Sequence, residues 1–176
     1  AEALSVCEKC GSELRASVSQ GERRQLTVLF ADLASSSTLS EQLDAEDYQD
    51  LIHAYQSASV SAVSRYGGHV AQYLGDGVLV YFGYPEADED AARFAVDAGL
   101  ELVQRIAALN GPRWPGLFIS ARVGIATGMV VAASTASGSG AQTLAFGQTP
   151  NIAARLQSEA APGAVVVSAD THSLVD

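Results

Sequence analysis

A hairpin pattern around Asp76 is the feature that most constrains how this chain can fold. The turn sequence Gly75-Asp76-Gly77 lies within residues 72–82, between two segments rich in β-branched and aromatic side chains. Such flanks favour strands, and glycine supplies the positive φ that a tight hairpin needs. The pattern therefore predicts a turn that displays one carboxylate. Because aspartate is also common in ordinary turns, Asp76 alone does not establish a function.

A second carboxylate, Asp32, ends the continuous apolar run over residues 25–32. Such a run predicts a central strand buried on both faces, and open sheets usually place chemistry at the carboxyl end of such a strand. A serine- and threonine-rich segment, residues 35–38, follows and leads into a helix. Free backbone N–H groups at a helix start favour an anion, although these residues are equally typical of simple capping.

The remaining periodicity predicts helices over residues 40–66 and 89–110, and strands over residues 117–127, 143–146 and 163–168. A flexible excursion is expected over residues 132–142, and a helix after Gly147 is expected to have Thr149 as N-cap and Pro150 at its first position. This order predicts an α+β fold with a ferredoxin-like βαββαβ core, an antiparallel-rich sheet and helices on one face. In that topology Asp32 and Asp76 lie on neighbouring strands.

Composition excludes several classes of partner. The 176-residue chain is 48% hydrophobic and carries a formal net charge of -10, which argues against binding to nucleic acid or to an anionic membrane surface. No apolar run approaches the roughly 20 residues of a membrane span, and no secretory leader is evident, so a cytoplasmic location without membrane insertion is expected. Residues 23–176 are predicted to form one domain.

Residues 1–22 are predicted to be a linker that contains Cys7 and Cys10 in the sequence Cys-Glu-Lys-Cys-Gly. This spacing fits one knuckle of a zinc ribbon, but a structural zinc site needs four ligands, and no second pair follows. The favoured interpretation is half of a ribbon whose other knuckle lies upstream. A redox pair and an unstructured tail remain alternatives, and no ordered metal is expected on this pair within the chain.

Two aspartates on adjacent strands would form a hard oxygen site suited to Mg²⁺ or Mn²⁺. Two such ions, about 4 Å apart, can activate a hydroxyl and bind the leaving group in phosphoryl transfer. Asn151 and Arg155 lie four residues apart on one helical face and would suit a ribose and a phosphorus centre. Taken singly, both are equally typical of plain helix surface.

Four segments in order, residues 24–33, 75–82, 122–128 and 147–156, resemble the class III nucleotidyl cyclases, particularly bacterial adenylate cyclase catalytic domains. The resemblance covers roughly residues 23–175. It implies a homodimer with active sites at the subunit interface and two Mg²⁺ or Mn²⁺ ions per site. It also implies the site residues: Asp32, Asp76 and the Leu33 carbonyl for metal, Asn151 for the ribose, Arg155 for the transition state, Ser35, Ser36 and Ser37 for phosphate, and Gln72 with Thr143 or Leu144 for the base.

This chain departs from the family pattern at several positions. Gln72 stands where active members usually have lysine, and Leu144 stands where they have aspartate or threonine, unless a one-residue shift gives that place to Thr143. Ser35 replaces a usual glycine, and Ala133-Ser134 replaces a frequent Gly-Asp pair. The last strands of many members are expected to be missing after residue 176.

The function implied is conversion of ATP, or of GTP, to a 3′,5′-cyclic nucleotide and pyrophosphate, with adenylate cyclase as the leading expectation. A degenerate domain that binds nucleotide or a second subunit and regulates without catalysis is the alternative. A diguanylate synthase shares the topology, but its Gly-Gly-acid-acid-Phe turn is absent from this sequence.

Overall fold

The structure is a computed structural model that describes residues 21–137 and 140–176. Cys7 and Cys10 lie outside the described residues. The strands within these ranges are β1 (Glu22–Leu33), β2 (His69–Leu74), β3 (Gly77–Phe82), β4 (Ala121–Ser137), β5 (Gly140–Phe146) and β6 (Val165–Val167). The helices are α1 (Ser36–Gln42), α2 (Ala45–Arg65), α3 (Ala91–Ala107), α4 (Gln148–Glu159) and α5 (Ala169–Val175). None of the helices in the described part is long and apolar enough to cross a membrane.

The sheet has the strand order β2-β3-β1-β4-β5, and β6 pairs with β4. The β4–β6 pair is parallel and the other pairs are antiparallel. β1 lies between β3 and β4, as its continuous apolar sequence predicts, and Val28 and Leu29 are fully buried. The first four strands with α2 and α3 form the βαββαβ unit, which confirms the predicted α+β fold class.

Alternate residues of β1 face two different cores. Leu29, Ala31 and Leu33 pack in the cluster that contains residues of α2 and α3, which lie together on one face as predicted for the ferredoxin-like core. Leu26 and Val28 pack in a second cluster that contains Ala153 of α4. The opposite face of the sheet therefore carries α4, a helix outside the βαββαβ unit.

Helix α4 lies directly on the backbone of β4 at Gly124. A Cβ atom added to Gly124 would collide with the Ala153 carbonyl oxygen and the Gln157 amide nitrogen, and would lie 2.9 Å from Gln157 Cα. A glycine is thus required for this close approach of helix to strand. The contact fixes the position of α4 relative to β4 and to the neighbouring strand β1.

Replacing Gly124 with alanine should destabilise the protein, because α4 must move away from the sheet. We expect a loss of about 1–3 kcal/mol in the free energy of unfolding, measured with urea. Gly111→Ala is the matched control, since no atom lies within 4 Å of its added Cβ. The control should be unchanged or slightly more stable. Equal stability of the two variants would contradict close packing at Gly124.

The single helix predicted over residues 40–66 is divided in two. Leu43 adopts an extended conformation after α1, and the Asp44 side chain caps α2 by accepting from the Asp47 N–H at 2.8 Å. A local capping bond therefore overrode the continuous apolar stripe that predicted one helix.

The prediction of a flexible excursion over residues 132–142 is wrong for the residues that the structure describes there. β4 continues through Gly128 to Ser137, and β5 begins at Gly140, with Ala132 opposite Ala145. Ladder hydrogen bonds join backbone groups, so small side chains do not prevent pairing. The predicted strand start was also early, because β4 begins at Ala121.

Two helix boundaries near the carboxyl end differ from the prediction. The N-cap of α4 is Gly147, not Thr149, which is buried with its hydroxyl close to Gly128. Helix α5 was not predicted, and Ser168 caps it by accepting from the Thr171 N–H at 3.2 Å.

Candidate metal and nucleotide site

Asp32 and Asp76 come together because β1 and β3 are neighbours. Asp32 lies opposite Gly77 in the ladder, and the Leu33 N–H donates to the Asp76 carbonyl at 3.3 Å. The hairpin closes with a two-residue turn, in which Gly75 has a φ of 66°. Positive φ at this position is why glycine precedes the aspartate. The sequence placed these two carboxylates correctly on adjoining strands.

The Asp32 carboxylate is held in an unfavourable environment. Burial is the main cause that raises its pKa to about 6, and the nearby Asp76 carboxylate raises it further. The Arg122 guanidinium opposes both effects, since its Nη2 lies 3.3 Å from Asp32 Oδ2. Gln157 Nε2 donates to the same oxygen at 3.3 Å. A divalent cation between the aspartates would relieve their mutual repulsion.

The donor set fits Mg²⁺ or Mn²⁺. No group of three or more histidine, cysteine, aspartate or glutamate side chains with metal-binding geometry exists within residues 21–137 and 140–176. The chain therefore offers the carboxylates of Asp32 and Asp76, to which the resemblance adds the carbonyl group of Leu33, and positions remain for water and phosphate oxygens. Mg²⁺ is commonly bound in this way, through one or two carboxylates plus a substrate phosphate. Asp32, Asp76 and Leu33 are the residues that would hold it.

Sequence reasoning missed Arg122 and Gln157 as partners of Asp32. Arg122 lies directly opposite Asp32 in the β1–β4 ladder, and its Nε is buried without a hydrogen-bond partner among the described residues. Gln157 follows the buried Ala153 by four residues, so it lies on the inner face of α4. A polar residue on the apolar stripe of that helix was the available signal.

The serine segment begins with an unusual backbone conformation. Ser35 has φ 58° and ψ 32° and is the one residue other than glycine with positive φ in the described part of the chain. The Leu39 N–H donates to the Ser35 carbonyl at 3.0 Å, which begins α1. Ser35 and Ser37 are exposed and Ser36 is half-buried. The left-handed conformation explains why glycine suits this position.

Replacing Ser35 with glycine should stabilise the protein. The left-handed conformation costs a non-glycine residue about 1–2 kcal/mol, and the larger unfolded-state entropy of glycine offsets part of the gain. We therefore expect a gain of up to about 1 kcal/mol in urea unfolding. Ser37→Gly, inside α1, is the control and should lose about 0.5 kcal/mol. Destabilisation by both variants would mean that the Ser35 backbone is not strained.

Asn151 and Arg155 lie exposed on α4, on the side away from the buried Ala153 and Gln157. No hydrogen bond or ion pair among the described residues joins either side chain to Asp32 or Asp76. One chain therefore presents two separate groups of candidate residues, namely the paired carboxylates and the exposed α4 pair.

The candidate base-reading residues lie on β2 and β5. Gln72 is half-buried and follows an irregularity in the β2–β3 register. Thr143 is buried, and its Oγ1 donates to Tyr84 Oη at 3.1 Å, whereas Leu144 is half-buried and faces the other side of β5. β2 and β5 contact each other although they end opposite edges of the strand order, so the sheet curls and brings these elements together.

Known proteins of one family are similar to this chain. The family described as "Adenylate and Guanylate cyclase catalytic domain" matches residues 18–176. An adenylate cyclase of Streptomyces coelicolor is 35% identical over 82% of this chain and 32% of its own length. The chain spans 15% to 32% of the length of three curated relatives that it matches.

Solved structures of a guanylyl cyclase and of an adenylyl cyclase share this fold. The guanylyl cyclase Cya2 has a TM-score of 0.83 at 27% identity, over 90% of this chain and 81% of its own. The adenylyl cyclase CyaB from P. aeruginosa has a TM-score of 0.76 at 29% identity, over 88% of this chain and 82% of its own.

Proposed function

Because the chain belongs to the adenylate and guanylate cyclase catalytic domain family, as its four motifs indicated, we propose that it converts ATP to 3′,5′-cyclic AMP and pyrophosphate. The observation that carries the proposal is the pair of carboxylates, Asp32 and Asp76, at the edge of the β1–β3 ladder. Support for ATP comes from the similarity to the Streptomyces adenylate cyclase. The product would form by attack of the ribose 3′ hydroxyl on the α-phosphorus.

Bound divalent ions would supply activation of the 3′ hydroxyl and charge neutralisation of the departing pyrophosphate. Asp32 and Asp76 would hold them, assisted by the Leu33 carbonyl. Arg122 brings positive charge to the side of Asp32 in a chain with a net charge of -10. Ser35, Ser36 and Ser37 would contact the phosphates from the start of α1.

A homodimer would complete the site. Asn151 and Arg155 are exposed and make no contact with the aspartates of their own chain, so we infer that they serve the site of the partner subunit. Asparagine can accept from and donate to ribose hydroxyls, and arginine can stabilise charge that develops on the phosphoryl group. A two-fold axis would give two identical sites, each built from two subunits.

Base selection would depend on Gln72 and on one residue of β5. The Gln72 amide can both donate to and accept from a purine edge. The Thr143 hydroxyl can do so as well, but it already contacts Tyr84. Leu144 cannot hydrogen-bond a base through its side chain.

An assay with ATP and with GTP, each with Mn²⁺ and with Mg²⁺, tests the proposed activity. The sample should first be shown to be folded and dimeric. Cyclic AMP in excess of cyclic GMP is the expected result. Predominant cyclic GMP would reassign the substrate, and the absence of both products would overturn the proposal.

The second candidate function is a regulatory module that binds nucleotide or a second subunit without catalysis. The observation that favours it is the positive φ of Ser35, because a glycine at this position would be unstrained and would let the backbone approach a phosphate more closely. Titration of the protein with a non-hydrolysable ATP analogue, compared with the turnover assay above, separates the two candidates. Binding without turnover, lost in Asp32→Ala, would support the regulatory function.

A further inference from the structure

The side chain of Gln157 contacts the Asp32 carboxylate although the reaction proposed above gives it no role. Gln157 is 5% exposed, and its Nε2 donates to Asp32 Oδ2 at 3.3 Å. Arg122 Nη2 reaches the same oxygen at 3.3 Å. Two donors that converge on one oxygen from different elements restrict rotation of the carboxylate group.

Both donors belong to one tightly packed unit. Gln157 lies where α4 contacts the Gly124 backbone, and Arg122 precedes Gly124 by two residues on β4. Because Gly124 has no side chain, the Gln157 backbone packs directly against β4, and this close contact leaves the backbone little freedom. The position of the amide relative to Asp32 is therefore set by backbone packing, which is more rigid than a surface side chain.

A neutral amide suits this position for an electrostatic reason. Arg122 already lowers the negative potential around Asp32, and a second cation would compete further with a metal ion. Glutamine donates a hydrogen bond and leaves the charge of the carboxylate intact. It can therefore orient the ligand while preserving the attraction between that ligand and a divalent cation.

We propose that Gln157 is a positioning residue that orients the Asp32 carboxylate for divalent metal binding and links the metal site to helix α4. The inference rests on the proposed function, because α4 is also the helix that carries Asn151 and Arg155. Gln157 faces the sheet and those two residues face away from it, so the same helix would contact its own metal site and serve the partner's.

Binding of Mn²⁺ to the full chain, followed by electron paramagnetic resonance with a non-hydrolysable ATP analogue, tests the proposal. Gln157→Met keeps the side-chain length and removes the donor. We expect about 10-fold weaker Mn²⁺ affinity. Gln148→Met is the matched control, since Gln148 is exposed at the start of the same helix, and its affinity should be unchanged. Unchanged Mn²⁺ affinity in Gln157→Met would overturn the proposal.

Gln157→Asn provides a second variant, in case methionine prevents folding. It keeps the amide but shortens its reach by one methylene, and the same weakening of Mn²⁺ binding is expected. A double-mutant cycle in unfolding free energy, with Asp32→Asn, separates positioning from mere packing. A positioning residue predicts a different cost for Gln157→Met in the two backgrounds, whereas equal costs would count against it.

These measurements need no turnover. Failure of the wild-type protein to form a cyclic nucleotide would overturn the proposed function, while the Mn²⁺ titration and the cycle would still decide the role of Gln157. Conversely, an active wild-type enzyme whose Gln157 variants bind Mn²⁺ normally would leave the proposed function intact and exclude the positioning role.

Discussion

Replacing Asp32 with asparagine should abolish cyclic-nucleotide formation and, at the same time, raise the thermal midpoint of the metal-free protein. Activity should fall at least about 10³-fold, because a proposed ligand of the ions that would activate the nucleophile is lost. Stability should rise because burial and the neighbouring Asp76 carboxylate both disfavour the charged form of Asp32. Asparagine is neutral, like the protonated form of Asp32, and the raised pKa means that the folded state favours this neutral form more than the unfolded state does.

The sign of the stability effect follows from the direction of the pKa shift. The pKa of Asp32 is about 6 in the folded protein against a usual value of 3.8, so the folded state binds more protons between these values. Wild-type stability should therefore fall as pH rises from about 4 to about 6 and stay low above that. Two pKa units correspond to about 3 kcal/mol, and the partial exposure of Asp32 reduces this to about 1–2 kcal/mol.

Thermal unfolding at several pH values, without and with Mn²⁺, measures both parts of this effect. The wild-type midpoint should decrease between pH 4 and pH 6 and recover when Mn²⁺ is added at pH 7.5. The Asp32→Asn midpoint should respond through this site neither to pH nor to Mn²⁺. Asp170→Asn is the control, because Asp170 is exposed in the first turn of α5. It should lose a few tenths of a kcal/mol at most. A less stable Asp32→Asn protein at pH 7.5 would contradict the repulsion between Asp32 and Asp76.

The parts of the fold that sequence predicted correctly depend on local signals. Hydrophobic patterning and residue type identify β1 and the hairpin, and Gly75 marks the turn, where its φ is positive in the structure. From these elements the βαββαβ order follows, and with it the meeting of Asp32 and Asp76. Competition between local signals explains the wrong prediction of one helix over residues 40–66. The Asp44 cap divides a helix that apolar periodicity alone predicted to be continuous.

The parts of the candidate site that sequence missed depend on register and packing. Arg122 faces Asp32 only because of the β1–β4 register, and Gln157 reaches it only because Gly124 lets α4 approach the sheet. These contacts join residues 90 and 125 positions apart. No local pattern encodes such distances, so these two partners became visible only in the folded chain.

Two inactive variants should restore activity when they are mixed. Asp76→Asn removes a proposed metal ligand, and Arg155→Ala removes the proposed transition-state residue. The activity of each variant in the proposed homodimer should therefore fall about 10²–10³-fold or more. In a heterodimer, the intact aspartates of the Arg155→Ala subunit meet the intact Arg155 of the Asp76→Asn subunit. Random exchange makes about half of the dimers mixed, with one working site each, which gives about a quarter of wild-type activity.

Mixing variants that share one half of the site provides the control for this experiment. Asp32→Asn with Asp76→Asn should recover no activity, because both subunits then lack a working pair of aspartates, and Asn151→Ala with Arg155→Ala should likewise stay inactive. Subunit exchange should be verified with differently tagged chains before turnover is measured. No recovery in the Asp76→Asn and Arg155→Ala mixture despite exchange would place Arg155 in the same site as the aspartates of its own chain. Recovery in a control mixture would mean that the two residues varied there serve different sites, which would contradict the proposed division of the site. The exposure of Asn151 and Arg155 on α4, with no contact to those aspartates, argues for the shared site.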